Sequence, residues 1–385
     1  MSETVQRWMK EVTRLTRAGR LAEATQAIQH ALGRHPAPQP AAAVDPVLPD
    51  VIDGCITDLE GAAADSTPRS HASARETGST LTGTHSEAGL TRSCVLYLPP
   101  ATPSSPSGTQ LPLVVMLHGC TQGPADFAQG TGMNALAHEQ GFAVLYPAQA
   151  QDANPQRCWN WFKHNHQQRG HGEAAVLAGM TRVVIAKHGL DARRVYVAGL
   201  SAGGAMAAIL GQAYPDVFAA VGIHSGLASG AASDLMSALS AMKNGPSAPA
   251  SAAHAVVDRG QPSDTANAPA PLPTIVFHGD ADAVVHPGNG SHAIAVALGD
   301  TQAQVQGPAG APTVERGTSA QGRHYTRTVY AQSTGSAAQA EHWVVHGAGH
   351  AWSGGSAQGS YTDPNGPDAT REMWRFFSTH ARTAS

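Results

Sequence analysis

From about residue 90 to the C-terminus, short apolar runs alternate with stretches whose apolar positions recur every three or four residues. Cys94–Leu98, Leu113–Leu117, Phe142–Tyr146, Arg194–Ala198, Phe218–Ile223, Thr274–Phe277 and Trp343–Val345 read as strands. Glu173–His188 reads as a helix with Val176, Leu177, Met180, Val183 and Val184 on one face. A closing helix is expected over Ala369–His380, with Met373, Trp374, Phe376 and Phe377 as its apolar residues. Alternation of this kind predicts an α/β fold with a doubly wound, mainly parallel sheet over residues 89–385. Two stretches interrupt the pattern. Residues 229–271 and 300–322 are rich in Ala, Gly, Ser and Pro and read as surface insertions.

Before residue 89 the pattern differs. Trp8, Val12, Leu15, Leu21, Ala24, Ala27, Ile28 and Ala31 recur at helical spacing, and Ala18-Gly19-Arg20 breaks the run. A helical hairpin is expected over residues 1–35. One such hairpin forms no solenoid, so a capping or docking role is expected for it. Residues 36–88 are dominated by Ala, Pro, Ser, Thr and Gly and read as a flexible linker.

Composition narrows the function class. The net charge of −4 over 385 residues gives no basic surface for nucleic acid or anionic lipid. No window approaches the roughly 18 apolar residues of a membrane span. Met1–Leu32 carries charges throughout and no apolar h-region, so a cytoplasmic location is expected, with an unrecognised export route as the alternative. Cys55, Cys94, Cys120 and Cys158 show no metal-ligand spacing. No metal or cofactor is expected.

The chemistry centres on Gly199-Leu200-Ser201-Ala202-Gly203, directly after an apolar run. A strand entering a sharp turn here would hold the Ser201 hydroxyl at the end of the sheet, with a small-residue helix following it. A serine nucleophile needs an imidazole base and a carboxylate to orient that base. Both follow in chain order, in loops after predicted strands: Asp282 in His278-Gly279-Asp280-Ala281-Asp282, and His350 in Gly347-Ala348-Gly349-His350. Asp280 is a rival carboxylate whose alternative role is a turn cap. Asp282 is favoured because its longer loop reaches further. His342 and His346 lie in or beside a strand and read as structural. The oxyanion donors are expected to be the backbone amides of Ala202 and of Cys120, in the turn after Leu113–Leu117. His118 reads as support for that turn. Trp159, Trp161, Phe162 and Trp352 border these motifs. Trp159 and Trp352 are expected to line a cleft for an apolar ester, and Trp161 and Phe162 to pack as core.

Five segments in order resemble the poly(3-hydroxybutyrate) depolymerase family of esterases. They are Leu117-His118-Gly119-Cys120-Thr121-Gln122, Cys158-Trp159-Asn160-Trp161-Phe162, Gly199-Leu200-Ser201-Ala202-Gly203-Gly204, Gly349-His350-Ala351-Trp352-Ser353-Gly354-Gly355 and Gly359-Ser360-Tyr361-Thr362-Asp363-Pro364. The resemblance spans about residues 90–380. It implies an α/β-hydrolase fold, a Ser201–Asp282–His350 triad, oxyanion amides at Cys120 and Ala202, and a Cys120–Cys158 disulfide. A reducing cytoplasm would instead keep both as thiols. The substrate implied is a polyester such as poly(3-hydroxybutyrate), in amorphous or oligomeric form. The feruloyl and acetylxylan esterases of the same group make a small plant-derived ester the alternative. A third reading, from another class, is a non-hydrolytic protein that binds polymer granules through the N-terminal hairpin.

Overall fold

The computed structural model describes residues 78–100, 110–246, 271–299, 311–331 and 338–383. The N-terminal hairpin and most of the linker lie outside the described residues. Among the described residues, ten strands form one sheet. They are β1 (Ser79–Glu87), β2 (Leu90–Leu98), β3 (Leu113–Leu117), β4 (Ala143–Pro147), β5 (Val195–Leu200), β6 (Ala220–His224), β7 (Thr274–Gly279), β8 (Thr313–Thr318), β9 (His324–Ala331) and β10 (Ala338–Val345). Their order across the sheet is β1-β2-β4-β3-β5-β6-β7-β10-β9-β8. The run from β4 to β10 is parallel throughout. Antiparallel hairpins extend both edges.

Every residue of β3, β4, β5, β6 and β7 is buried. Strands covered by helices on both faces must be apolar on both, which is why these runs carry the strongest sequence signal. On one face, Val176, Met180, Met206 and Leu210 form a core layer with Val115 and Val197. These side chains come from α3 (Gly172–His188) and α4 (Ala202–Ala213). On the other face, Met373, Phe376 and Phe377 of α7 (Ala369–Ser378) pack with Phe127, Tyr146 and Tyr196.

The linker ends earlier than composition predicts, because Ser79–Glu87 is a strand. Its buried positions are Gly83 and His85, so it carries no apolar alternation to betray it. The first expected insertion contains α5 (Leu235–Asn244), started by a capping box in which Ser237 N–H donates to Asp234 Oδ1 at 2.8 Å. The second contains β8, an edge strand whose residues are almost all exposed. Helices α1 (Pro124–Thr131), α2 (Met133–Gln140) and α6 (Gly288–Leu298) fill connections that the apolar pattern leaves unassigned.

From β3 the chain passes to β4 on one side and then back across to β5 on the other. Loops at the C-terminal ends of strands diverge at such a reversal and leave a crevice there. The turns after β3, β5, β7 and β10 carry Cys120, Ser201, Asp282 and His350.

Candidate active site

Ser201 is the single residue between β5 and α4, with φ 58° and ψ −121°. A non-glycine side chain pays conformational strain in this region, and such strain persists only where the surroundings enforce it. The enforcement is visible. Ser201 N–H donates to the His224 carbonyl at 2.9 Å, and the Ser201 carbonyl accepts from Ala205 N–H at 3.0 Å. The helix starts so close to the sheet that a Cβ on Gly199 would lie 2.7 Å from the Leu117 carbonyl oxygen. A Cβ on Gly203 would collide with the same backbone. Ala202 is the first residue of α4, so its N–H belongs to the helix-start donors that have no acceptor within the helix.

The structure brings His350 to Asp282. His350 Nδ1 lies 2.7 Å from Asp282 Oδ2, and the carboxylate is fully buried. Its other oxygen accepts the amides of Val284 and Val285, both at 2.9 Å. Burial alone would raise the Asp282 pKa. Hydrogen bonds from His278 and His350, with the Val285 amide, instead hold it far below the usual carboxylate range. Asp280 has different work. It accepts from Gly347 N–H at 2.6 Å and from His346 Nδ1 at 2.8 Å, while Arg323 donates to the Gly347 carbonyl at 3.1 Å. The loop bearing His350 is therefore pinned at Gly347 from both sides. His342 is buried, and burial lowers its pKa to about 4.

In the turn after β3, Gly119 N–H donates to Gln122 Oε1 at 2.9 Å and Thr121 N–H to the Gln156 carbonyl at 2.6 Å. Cys120, between them, is joined to Cys158 by a disulfide with a Cα–Cα distance of 4.2 Å. His118 sits beneath. Its Nδ1 donates to the Gly119 carbonyl at 2.8 Å and its Nε2 accepts from Gln149 N–H at 3.1 Å. Burial lowers its pKa to about 4, so it stays neutral and supports the turn as expected.

Trp159 and Trp352 do not line a cleft. They are 0 % and 1 % exposed. Each indole has one N–H to satisfy, and each finds a buried acceptor: the His118 carbonyl at 3.1 Å for Trp159, and Thr370 Oγ1 at 3.0 Å for Trp352. With that donor paired, burial of the large apolar ring dominates. Trp161 is also buried and meets Phe162 edge-on at 5.8 Å. The exposed aromatic beside the turn after β3 is Tyr361, 47 % exposed, whose hydroxyl is 3.2 Å from Thr121 Oγ1.

Sequence reasoning misses Glu173, buried at the start of α3. It accepts from Gln149 Nε2 at 2.6 Å, Asn160 N–H at 2.7 Å, Asn160 Nδ2 at 2.8 Å and Arg92 Nη2 at 3.1 Å. Gln149 in turn donates to the Cys158 carbonyl at 2.9 Å. The segment carrying Cys158 is thus held to the core by this hub as well as by the disulfide. A glutamate in the first turn of a predicted helix is ordinary, so nothing local marks it. Among the described residues, no group of three or more His, Cys, Asp or Glu is arranged to hold a metal.

A serine at a strained strand–helix turn, a His–Asp pair and a braced amide turn share the C-terminal end of the parallel strands, and comparison with known proteins follows the same line. The chain is 39% identical over 186 residues to poly(3-hydroxyalkanoate) depolymerase C of Paucimonas lemoignei, covering 48% of this chain and 44% of that protein. It is 33% identical over 144 residues to feruloyl esterase B of Thermothelomyces thermophilus, covering 37% and 47%. The matched region spans less than half the length of either relative. Among solved structures, an acetyl xylan esterase from Aspergillus awamori matches with a TM-score of 0.54 at 20% identity, covering 75% of this chain and 94% of that one. That likeness establishes the α/β-hydrolase fold. A model of the esterase PHB depolymerase family matches residues 92–309, more than half of the chain, and the chain belongs to that family.

Proposed function

We propose that the chain is a serine carboxylic-ester hydrolase in which Ser201 attacks, His350 shuttles the proton and Asp282 orients His350. The observation that carries this is the 2.7 Å contact from His350 Nδ1 to a buried, doubly amide-anchored Asp282, in loops at the same C-terminal end of the parallel strands as the strained Ser201 turn. With Nδ1–H held by Asp282, the His350 proton sits on Nδ1 and Nε2 is free to act as base. His350 takes the Ser201 proton as its oxygen bonds to the ester carbonyl carbon. The amides of Cys120 and Ala202 receive the oxyanion. His350 then protonates the departing alkoxide, and a water deprotonated by His350 releases the acid.

The substrate in this reading is a neutral polyester or its oligomers, such as poly(3-hydroxybutyrate) in amorphous form. The likeness to a poly(3-hydroxyalkanoate) depolymerase supports it. A small aromatic or acetyl ester is the second reading, supported by the likeness to a feruloyl esterase. Granule docking through residues 1–35 and a cytoplasmic location belong to the polyester reading. That location predicts free thiols at Cys120 and Cys158 in protein isolated under thiol-trapping conditions, and an oxidising compartment predicts the disulfide.

The test is product release by the purified full chain from amorphous poly(3-hydroxybutyrate) granules, beside methyl ferulate and a p-nitrophenyl ester. Release of 3-hydroxybutyrate or its oligomers, absent in Ser201→Ala, is expected. Cleavage of the small esters alone moves the substrate to the second reading. Hydrolysis by folded Ser201→Ala at the rate of the parent refutes the nucleophile.

A further inference from the structure

The last position of β7 before its terminal glycine is His278, 1 % exposed and absent from the mechanism above. Its Nε2 lies 2.9 Å from the Val285 carbonyl and 3.5 Å from Asp282 Oδ2. A carbonyl only accepts, so the ring proton is on Nε2, and this one proton faces both oxygens. Val285 closes the circuit, because its N–H donates to Asp282 Oδ1. His278 therefore acts on Asp282 by two routes: directly at the oxygen that holds His350, and through the Val285 peptide that holds the other oxygen.

A carboxylate offers about four lone-pair sites. Val284, Val285 and His350 donate to three of them at 2.7 to 2.9 Å, and the His278 Nε2–H lies 3.5 Å from Oδ2, beside the fourth. The other nitrogen of His278, Nδ1, is buried without a hydrogen-bond partner. It faces Gly290 on α6, where a Cβ would stand 3.0 Å from His278 Nδ1 and 3.2 Å from His342 Nε2. Leaving a polar nitrogen unpaired in the interior is costly. An apolar side chain of this size would fill the space without that cost. What it could not do is donate to Asp282.

We propose that His278 is a positioning residue for the reaction, a second imidazole that fixes the Asp282 carboxylate in register with His350 and moderates its basicity. The proposal rests on the reading of Asp282 as the partner of His350. The titratable groups beside His278 are His224 on β6, His342 on β10 and Asp282 with its partner His350, while Asp280 lies two residues along the same loop and His292 two residues beyond Gly290 on α6. Burial lowers the pKa of His224 to about 3 and of His342 to about 4, so both stay neutral across the assay range.

The test is kcat and KM against pH on a soluble ester for the full chain, with H278L, H278Q and D282N. Loss of one donor makes Asp282 more basic, so it holds the His350 proton more tightly. H278L is expected to lower kcat about 10- to 100-fold, the scale known for groups that orient metal ligands from behind. KM should stay within about threefold, and the acid limb of kcat/KM should move up by at least about 0.3 pH units. H278Q, whose amide can donate to the same two oxygens, is expected to restore the limb and most of kcat. Where a melt shows H278L unfolded, H278N replaces it, since its amide is too short to reach both oxygens. A folded H278L or H278N with an unmoved limb overturns the proposal, whatever its kcat. D282N at the parental kcat would overturn the triad itself. Inactive D282N beside a normal H278L would overturn His278 alone.

Discussion

Replacing Glu173 by glutamine exchanges one buried acceptor oxygen for an NH2 group and removes one buried charge. Four hydrogen bonds converge on this carboxylate, from Gln149, Asn160 twice and Arg92. A glutamine would turn a donor toward donors, and Arg92, 4 % exposed, would lose its counter-charge. Breaking a buried ion pair by removing one partner costs about 3–5 kcal/mol. Linkage gives a similar figure. Burial alone would raise the Glu173 pKa, but hydrogen bonds from His166, Gln149 and Asn160 bring it from 4.5 down to about 2. That difference corresponds to about 3 kcal/mol at about 1.4 kcal/mol per pH unit. The folded-state value is depressed, so this stability is fully present above pH 4.5 and is lost as pH falls through about 2. Urea unfolding of parent and E173Q at pH 7 should differ by about 3–5 kcal/mol with an unchanged slope. The gap should close progressively between about pH 4.5 and pH 2. A gap under about 1 kcal/mol at pH 7, the scale of an ordinary single hydrogen bond, would refute the hub. So would a gap that persists undiminished at pH 2.

Reducing the Cys120–Cys158 disulfide reopens a loop with a sequence separation of 38, for which chain entropy predicts a loss of about 4 kcal/mol; unfolding with and without dithiothreitol measures it. Because Glu173, Gln149 and Trp159 hold the same segment, the reduced chain should keep its native near-UV circular dichroism and lose rate mainly in kcat. Tyr361→Ala removes the exposed aromatic beside the turn after β3, and KM for an apolar ester should rise several-fold with kcat within about twofold; an unchanged KM would remove Tyr361 from the substrate surface. Gly203→Ala drives a Cβ into the backbone after β3, so the variant should be recovered unfolded or inactive, whereas Ala208→Gly, farther along the same helix, should cost only about 1 kcal/mol in a melt.

Some of the molecule was legible from the chain alone, and the reason is locality. Strands β3 and β5 to β7 are buried on both faces, so burial demands an apolar residue at nearly every position, and the runs announce themselves. The Ser201 turn is a contiguous pentapeptide whose glycines answer a steric demand made within a few residues and one neighbouring strand. The edge elements stayed hidden because their environment asks little of them: β1 buries a glycine and a histidine, and β8 buries almost nothing. What sequence could not settle was which distant groups would meet. Asp280 and Asp282 are two residues apart, yet one pins Gly347 and the other holds His350 across 68 positions of chain. Trp159 and Trp352 were candidates for a cleft wall, and only the placement of a buried acceptor against each indole decided that they lie inside. Glu173 and His278 carry no local mark at all. The sequence by itself determined the central strands, the strained turn at Ser201 and the residue types of the candidate site, because those follow from near neighbours. The tertiary structure decided which carboxylate serves which histidine, and which aromatics face solvent, because hydrogen-bond partners and burial are set by residues that only folding brings together.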